Sequence, residues 1–199
     1  MYYRYGNRGY CLASESYRRG CTIHSHAERD NGAGDHGFQL GEKERREKFS
    51  LWERATRVNL VWVAPGVTKP GSTCGKPVNL LDVYPTLASL TGCEPTERQL
   101  EGNDLSALMK NLEASWDKTS LTTYGYKNYS IRSERYRYIV YADGTEELYD
   151  HEKDKWEWNN LADSPEYDDI KEMMRKGIPD HHEPVGASTE LSASKSYAQ

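Results

Sequence analysis

Three stretches near the C-terminal end, residues 129–134, 136–141 and 147–149, set the tightest limit on what this chain can fold into. Their Tyr, Ile, Val and Leu content is that of strands, and the last two are separated by Asp143-Gly144, the strongest short hairpin turn signal. A small antiparallel sheet of about four strands is the consequence. Beyond it, Ser164-Pro165-Glu166 supplies a cap and a first-turn proline, and Tyr167, Ile170, Met173 and Met174 recur at helical spacing up to a stop at Gly177. This predicts a helix packed on the sheet, with everything past Pro179 a tail.

Upstream, residues 58–63 (Val-Asn-Leu-Val-Trp-Val) have the composition of a buried central strand, closed by the Pro65-Gly66 turn signal. A loop then leads to a core-facing helix carrying Leu80, Leu81, Val83, Tyr84, Leu87 and Leu90, with Gly92 as its stop. A shorter helix is expected from Asn103 or Asp104, burying Leu105, Leu108 and Met109. Residues 1–34 are rich in Tyr, Arg, Ser and Gly, show no sustained period of either kind, and read as poorly ordered.

With 36% hydrophobic and 29% charged residues, burial has to concentrate in these few segments. The net charge of -5 comes from interspersed charges of both signs, with no basic stripe for a phosphate backbone, so nucleic acid is excluded as a partner. No apolar run is long enough to span a bilayer and the start lacks the apolar core of a signal peptide, so no membrane is expected and the compartment stays open. The four cysteines contain no C-x-x-C pair, which argues against a zinc site or a dense disulfide framework.

The chemistry-bearing segment is Asp35-His36-Gly37-Phe38-Gln39-Leu40-Gly41-Glu42-Lys43, followed by Lys48, Trp52 and Ala55-Thr56-Arg57-Val58. Read alone, Asp-His-Gly is most often a turn, and a lysine in this charged run is most often solvated. An ordered series continues downstream: the Val63-Ala64-Pro65-Gly66 turn, Leu81-Asp82-Val83-Tyr84-Pro85-Thr86-Leu87, Leu100-Glu101-Gly102-Asn103-Asp104-Leu105, Arg137-Tyr138-Ile139, Glu147-Leu148-Tyr149-Asp150 and Asn160-Leu161-Ala162. Over residues 35–176 this series resembles the C-terminal part of sulfatases of the alkaline-phosphatase-like superfamily. The His after Asp35 is similar to the iduronate-2-sulfatase-like members, beside the arylsulfatases.

The resemblance implies an α/β fold, here a truncated sulfatase fold with a C-terminal small antiparallel sheet plus helix. Residues 1–34 would be an unrelated segment, 35–118 a remnant of the α/β domain, 119–178 the antiparallel-sheet subdomain and 179–199 a tail. It further implies Ca²⁺ bound through Asp35, a hard oxygen ligand, with His36 flanking or joining the metal or donating a hydrogen bond to the ester. Lys48 corresponds to the lysine that neutralises charge on the sulfate oxygens. The substrate class is a sulfated carbohydrate or another sulfate ester.

The family nucleophile is a formylglycine made from Cys or Ser in C/S-x-P-x-R, and this chain contains no such motif. Its nearest approach, Cys93-Glu94-Pro95-Thr96-Glu97-Arg98, puts the arginine one place late, so Cys93 reads as structural. The further Asp pair that the resemblance assigns to the calcium site is also missing, and no apolar strand leads into Asp35. The stretch from Asp30 to Asp35 fails as an EF-hand because glycines occupy two ligand positions. His24, His26, His181 and His182 receive no function, and Tyr136, Tyr138 and Tyr141 read as strand packing. The chain alone is expected to be inactive, and an exposed strand edge opens it to self-association. The other readings are a non-catalytic interaction or scaffold module, and part of a related phosphodiesterase or phosphonate hydrolase.

Overall fold

The computed structural model describes residues 37–93 and 100–180, and the backbone of 22–24. The rest of the N-terminal segment read as poorly ordered, and the tail past residue 180, lie outside the described residues. Among the described residues the elements run β1 (Thr22–His24), α1 (Glu53–Thr56), β2 (Val61–Val63), α2 (Val83–Thr91), α3 (Ser106–Lys110), β3 (Ser120–Thr123), β4 (Tyr129–Arg132), β5 (Tyr136–Val140), β6 (Glu146–Asp150) and α4 (Asp168–Arg175). They form two compact units. One contains 22–24, 59–93 and 100–117; the other contains 37–58 and 118–180. Residues 37–58, expected to belong with the α/β remnant that extends to 118, therefore fold with the C-terminal sheet.

That sheet has the order β3-β4-β5-β6, every neighbour antiparallel. The β5–β6 turn is the expected one: Gly144 takes φ 87°, and the Asp143 carboxylate accepts from the Thr145 amide at 2.9 Å. Because strand side chains alternate, the pairing of Ile131 with Tyr138 and of Tyr138 with Leu148 puts these three on one face. There they form a core with Tyr129, Ala162 and Met174, against which Tyr167 and Ile170 also pack. Met174 of α4 is buried while its neighbour Met173, about 100° away round the helix, is exposed, so the apolar stripe is narrower than the four-residue pattern suggests.

The opposite face carries Ser130, Arg132, Arg137, Ile139, Glu147 and Tyr149, as the same registers require. Here Ile139 and Tyr149 bury against Leu51, with Trp52, Tyr124 and Tyr141 around them. Segment 37–58 covers this face. The sheet is thus sandwiched, which is why β5 is buried at Arg137, Tyr138 and Ile139 consecutively, on both of its faces.

In the other unit the expected buried strand over 58–63 is corrected. Only Val61–Val63 forms a strand, it pairs antiparallel with Thr22–His24, and Val61 and Val63 are 38% and 44% exposed. Trp62 between them is half-buried with its Nε1 out of solvent, so one face of this short strand is covered and the face carrying Val61 and Val63 is not. The partner strand β1 is too short for any period to register in the sequence.

The helix expected from Leu80 forms as a 3₁₀ turn (Leu80–Asp82) running into α2, and Gly92 ends it in the left-handed region at φ 69°. Its buried face is Asp82, Thr86, Ala88 and Thr91, whereas Leu80 and Leu81 are exposed. A polar lock explains this choice. Asp82 accepts from the Asn79 amide at 2.7 Å and the Asn103 amide at 2.7 Å, while Thr86 Oγ1 accepts from the Leu105 amide at 2.9 Å. These bonds draw the polar edge inward. Leu105 and Leu108 are buried as expected and Met109 is half-buried; Asp104, one of the two expected caps, instead precedes the N-cap Leu105 and accepts from the Ser106 amide at 2.8 Å. No helix among the described residues is long and apolar enough to cross a membrane.

Candidate functional site

Asp35 and His36, the expected metal-binding and catalytic pair, lie outside the described residues. The chain immediately after them is fixed. The Gly37 amide donates to Ala55 O at 2.9 Å, and a Cβ at Gly37 would stand 1.9 Å from Arg54 O, so only glycine allows this approach to α1. Two residues on, the Gln39 amide donates to Glu47 O at 2.9 Å. The chain leaving Asp-His-Gly therefore runs beside the stretch that carries Lys48. Lys48 itself is exposed, with its ammonium 5.2 Å from the centroid of the Phe49 ring.

Beneath this pair of segments lies a buried ionic network that the sequence did not reveal. Arg137 donates to Leu51 O at 3.1 Å and to Ser130 Oγ at 2.5 Å, and pairs with the carboxylates of Glu53 and Glu157. Its Nε stands 2.7 Å from Glu157 Oε1 in an ion pair too bent to count as a hydrogen bond. Arg132 joins through Glu53 at 3.3 Å, and His151 Nε2 lies 2.9 Å from Glu157 Oε1. The second Glu157 oxygen accepts the Glu53 amide at 2.8 Å, which satisfies a donor at the open N-terminus of α1. To reach this position Glu157 adopts φ 61°, a left-handed conformation that costs a non-glycine residue on the order of 1 kcal/mol. Burial pushes the Glu53 carboxyl up, but Arg137 and Arg132 outweigh it and hold the group down at about 2.

Glu53, His151 and Glu157 each present a ligand atom, all within 4.8 Å of one another, so the trio has the outline of a metal centre. Its electrostatics do not fit one. Both carboxylates are already neutralised by guanidinium groups, and a divalent ion among them would face Arg137 at van der Waals range. Ca²⁺ also takes 6–8 oxygen ligands, more than this set offers. The trio is an ion-pair clamp tying α1 to the sheet.

A second array fixes the Leu40-Gly41-Glu42-Lys43 loop. Lys43 Nζ donates to Tyr149 Oη at 2.8 Å, and that hydroxyl donates to Glu147 Oε2 at 2.8 Å. Trp52 Nε1 donates to the same oxygen at 2.6 Å and Tyr141 Oη to its twin at 3.2 Å. The Lys43 ammonium also lies 4.4 Å from the Tyr149 ring centroid and 5.1 Å from that of Trp52. Burial pushes Lys43 down and Tyr149 up. Lys43, drawn from the sequence as part of a solvated charge run, is therefore a half-buried tether. Tyr141, read as strand packing, contributes its hydroxyl as well as its ring. The signal for the first network was a lone Arg inside the otherwise aromatic and aliphatic β5, a charge that cannot be buried without partners. Cys93 has a free, half-buried thiol, and its amide closes α2 on Ala88 O at 3.1 Å.

Residues 41–183 match the family described as N-sulphoglucosamine sulphohydrolase, C-terminal. A sulfatase from Formosa agariphila is 39% identical over 145 residues, covering 73% of this chain and 28% of that relative. An ulvan-active sulfatase from the same organism is 30% identical over 154 residues, covering 71% and 30% respectively. A solved protein in complex with its substrate, D-glucosamine-2-N,6-O-disulfate, superimposes with a TM-score of 0.62 at 27% identity over 71% of this chain and 31% of that one. The chain spans less than a third of the length of these relatives.

Proposed function

This chain belongs to the N-sulphoglucosamine sulphohydrolase C-terminal family of sulfatases, and from that premise we propose that it supplies the sulfate-binding side of an enzyme that hydrolyses sulfate esters of a sulfated carbohydrate. Lys48 is the residue on which this reading turns. Its ammonium offsets charge on the sulfate oxygens, and the largest gain comes as the bridging oxygen departs and charge develops on the group. The observation that carries the proposal is the pair of backbone bonds from Gly37 to Ala55 and from Gln39 to Glu47, because they run the chain just after Asp35-His36 beside the stretch leading to Lys48.

Asp35 contributes a carboxylate to a metal and His36 a second donor or a hydrogen bond to the ester. The ion would be Ca²⁺, held together with further oxygen donors, and when bound it offsets the charge of the sulfate. The ionic clamp around Arg137 and the Lys43 tether keep the two segments in register, a positioning role that needs no contact with substrate. The 199 residues contain no C/S-x-P-x-R sequence, so a nucleophile has to come from residues other than these.

The substrate class follows the relatives, one of them ulvan-active and another holding a disulfated glucosamine. The test is sulfate release from D-glucosamine-2-N,6-O-disulfate by a polypeptide that joins this chain to a segment bearing the formylglycine motif. Lys48→Ala should lower kcat by about 10²- to 10³-fold. An aryl phosphonate monoester hydrolysed faster than the sulfate would move the assignment to a phosphonate hydrolase.

A further inference from the structure

Phe49 follows Lys48, and its side chain is 59% exposed. An exposed phenyl ring is usually loose, but this one is braced. It stacks on Tyr124 with centroids 5.8 Å apart and an interplanar angle of 21°. Tyr124 in turn packs against the buried Leu51, Ile139 and Tyr149 cluster. The backbone beneath is fixed too: the Tyr124 amide donates to Asn128 O at 3.1 Å, Asn128 Nδ2 donates to Tyr124 O at 2.9 Å, and Asn128 Oδ1 accepts the Ala142 amide at 3.0 Å. The arrangement is a rigid aromatic face open to solvent, with the Lys48 ammonium 5.2 Å from the centre of the Phe49 ring.

A flat apolar surface beside a single cation matches a ligand that offers a C–H face and an anion a few ångströms apart. A sulfated pyranose has both. We propose that the Phe49–Tyr124 stack is a docking platform for the sugar ring of a sulfated carbohydrate, with Lys48 receiving its sulfate, which makes Phe49 a specificity-determining residue. The idea rests on the sulfatase reading, which it deepens by separating recognition of the sugar from recognition of the sulfate. Charge complementarity argues for this occupant, because an anionic sulfate beside an apolar ring face mirrors the Lys48 ammonium beside the Phe49 ring.

The experiment is a calorimetric or NMR titration of the full chain with glucosamine 6-sulfate, glucosamine and inorganic sulfate, on the wild type, Phe49→Ala and Phe49→Trp. Because the ring is exposed, neither substitution disturbs a core. Phe49→Ala should weaken glucosamine 6-sulfate about tenfold and leave inorganic sulfate unchanged, and Phe49→Trp should restore the sugar. Equal affinity of Phe49→Ala and wild type for the sulfated sugar overturns the platform, as does glucosamine binding as tightly as its sulfate. A substitution that alters self-association without altering sugar affinity makes the ring an interface residue and also overturns it. If the wild type binds none of the probes the platform falls, while the sulfatase reading is judged separately by sulfate release.

Discussion

Glu53 carries the clearest pH signature in the molecule, because its buried carboxyl is held at about 2 against an ordinary 4.5. A folded-state value below the unfolded one means that the stabilisation is fully present above pH 4.5 and is lost as pH falls toward 2. The span corresponds to roughly 3 kcal/mol, taking about 1.36 kcal/mol per unit. Urea unfolding should therefore show a steep loss of stability between pH 4.5 and 2, and Glu53→Gln should flatten that dependence. Removing the other partner is harsher. Arg137→Met leaves Glu53 and Glu157 buried with too little positive charge and should cost about 3–5 kcal/mol by denaturant unfolding, while the double variant with Glu53→Gln should recover part of it. At this scale the sequence was uneven: Gly37 and Lys48 stood out through neighbouring residues, whereas Arg137 found its partners 84 residues upstream and 20 downstream, distances no local pattern encodes.

Among the elements, the β5–β6 hairpin and α4 were legible because turn chemistry and period both act within a few residues. The fine choice of which face to bury was not. Met173 and Met174 are adjacent and chemically identical, yet only the second reaches the core. Met174→Ala should cost about 2–5 kcal/mol and Met173→Ala less than about 0.5, a contrast that a pair of guanidinium melts reads directly. In the helix from Leu80 the outcome ran against hydropathy, since hydrogen bonds that Asp82 and Thr86 accept from the Asn103 and Leu105 amides outweighed the burial of two leucines. Strand β2 shows the same limit: its composition is that of a core strand, yet only the Trp62 face is covered while Val61 and Val63 are exposed.

For the whole molecule, the four-stranded sheet with a helix on one face and the 37–58 segment on the other is the frame that presents Lys48 and Phe49. The family could be read because its residues recur in fixed order along the chain, and the match over 41–183 confirms it. The ion-pair clamp, the tether and the Phe49–Tyr124 ring stack are products of tertiary packing and emerged only with the fold. The role proposed for these residues is to bring one lysine, Lys48, to the sulfate, with the nucleophile supplied by other residues. Release of sulfate from an arylsulfate by the purified 199-residue chain, and by the same chain joined to a formylglycine-bearing segment, tests this division most directly. No turnover from the chain alone, and Lys48-dependent turnover from the joined protein, is the expected result. Turnover by the chain alone, or a joined enzyme indifferent to Lys48→Ala, would contradict it.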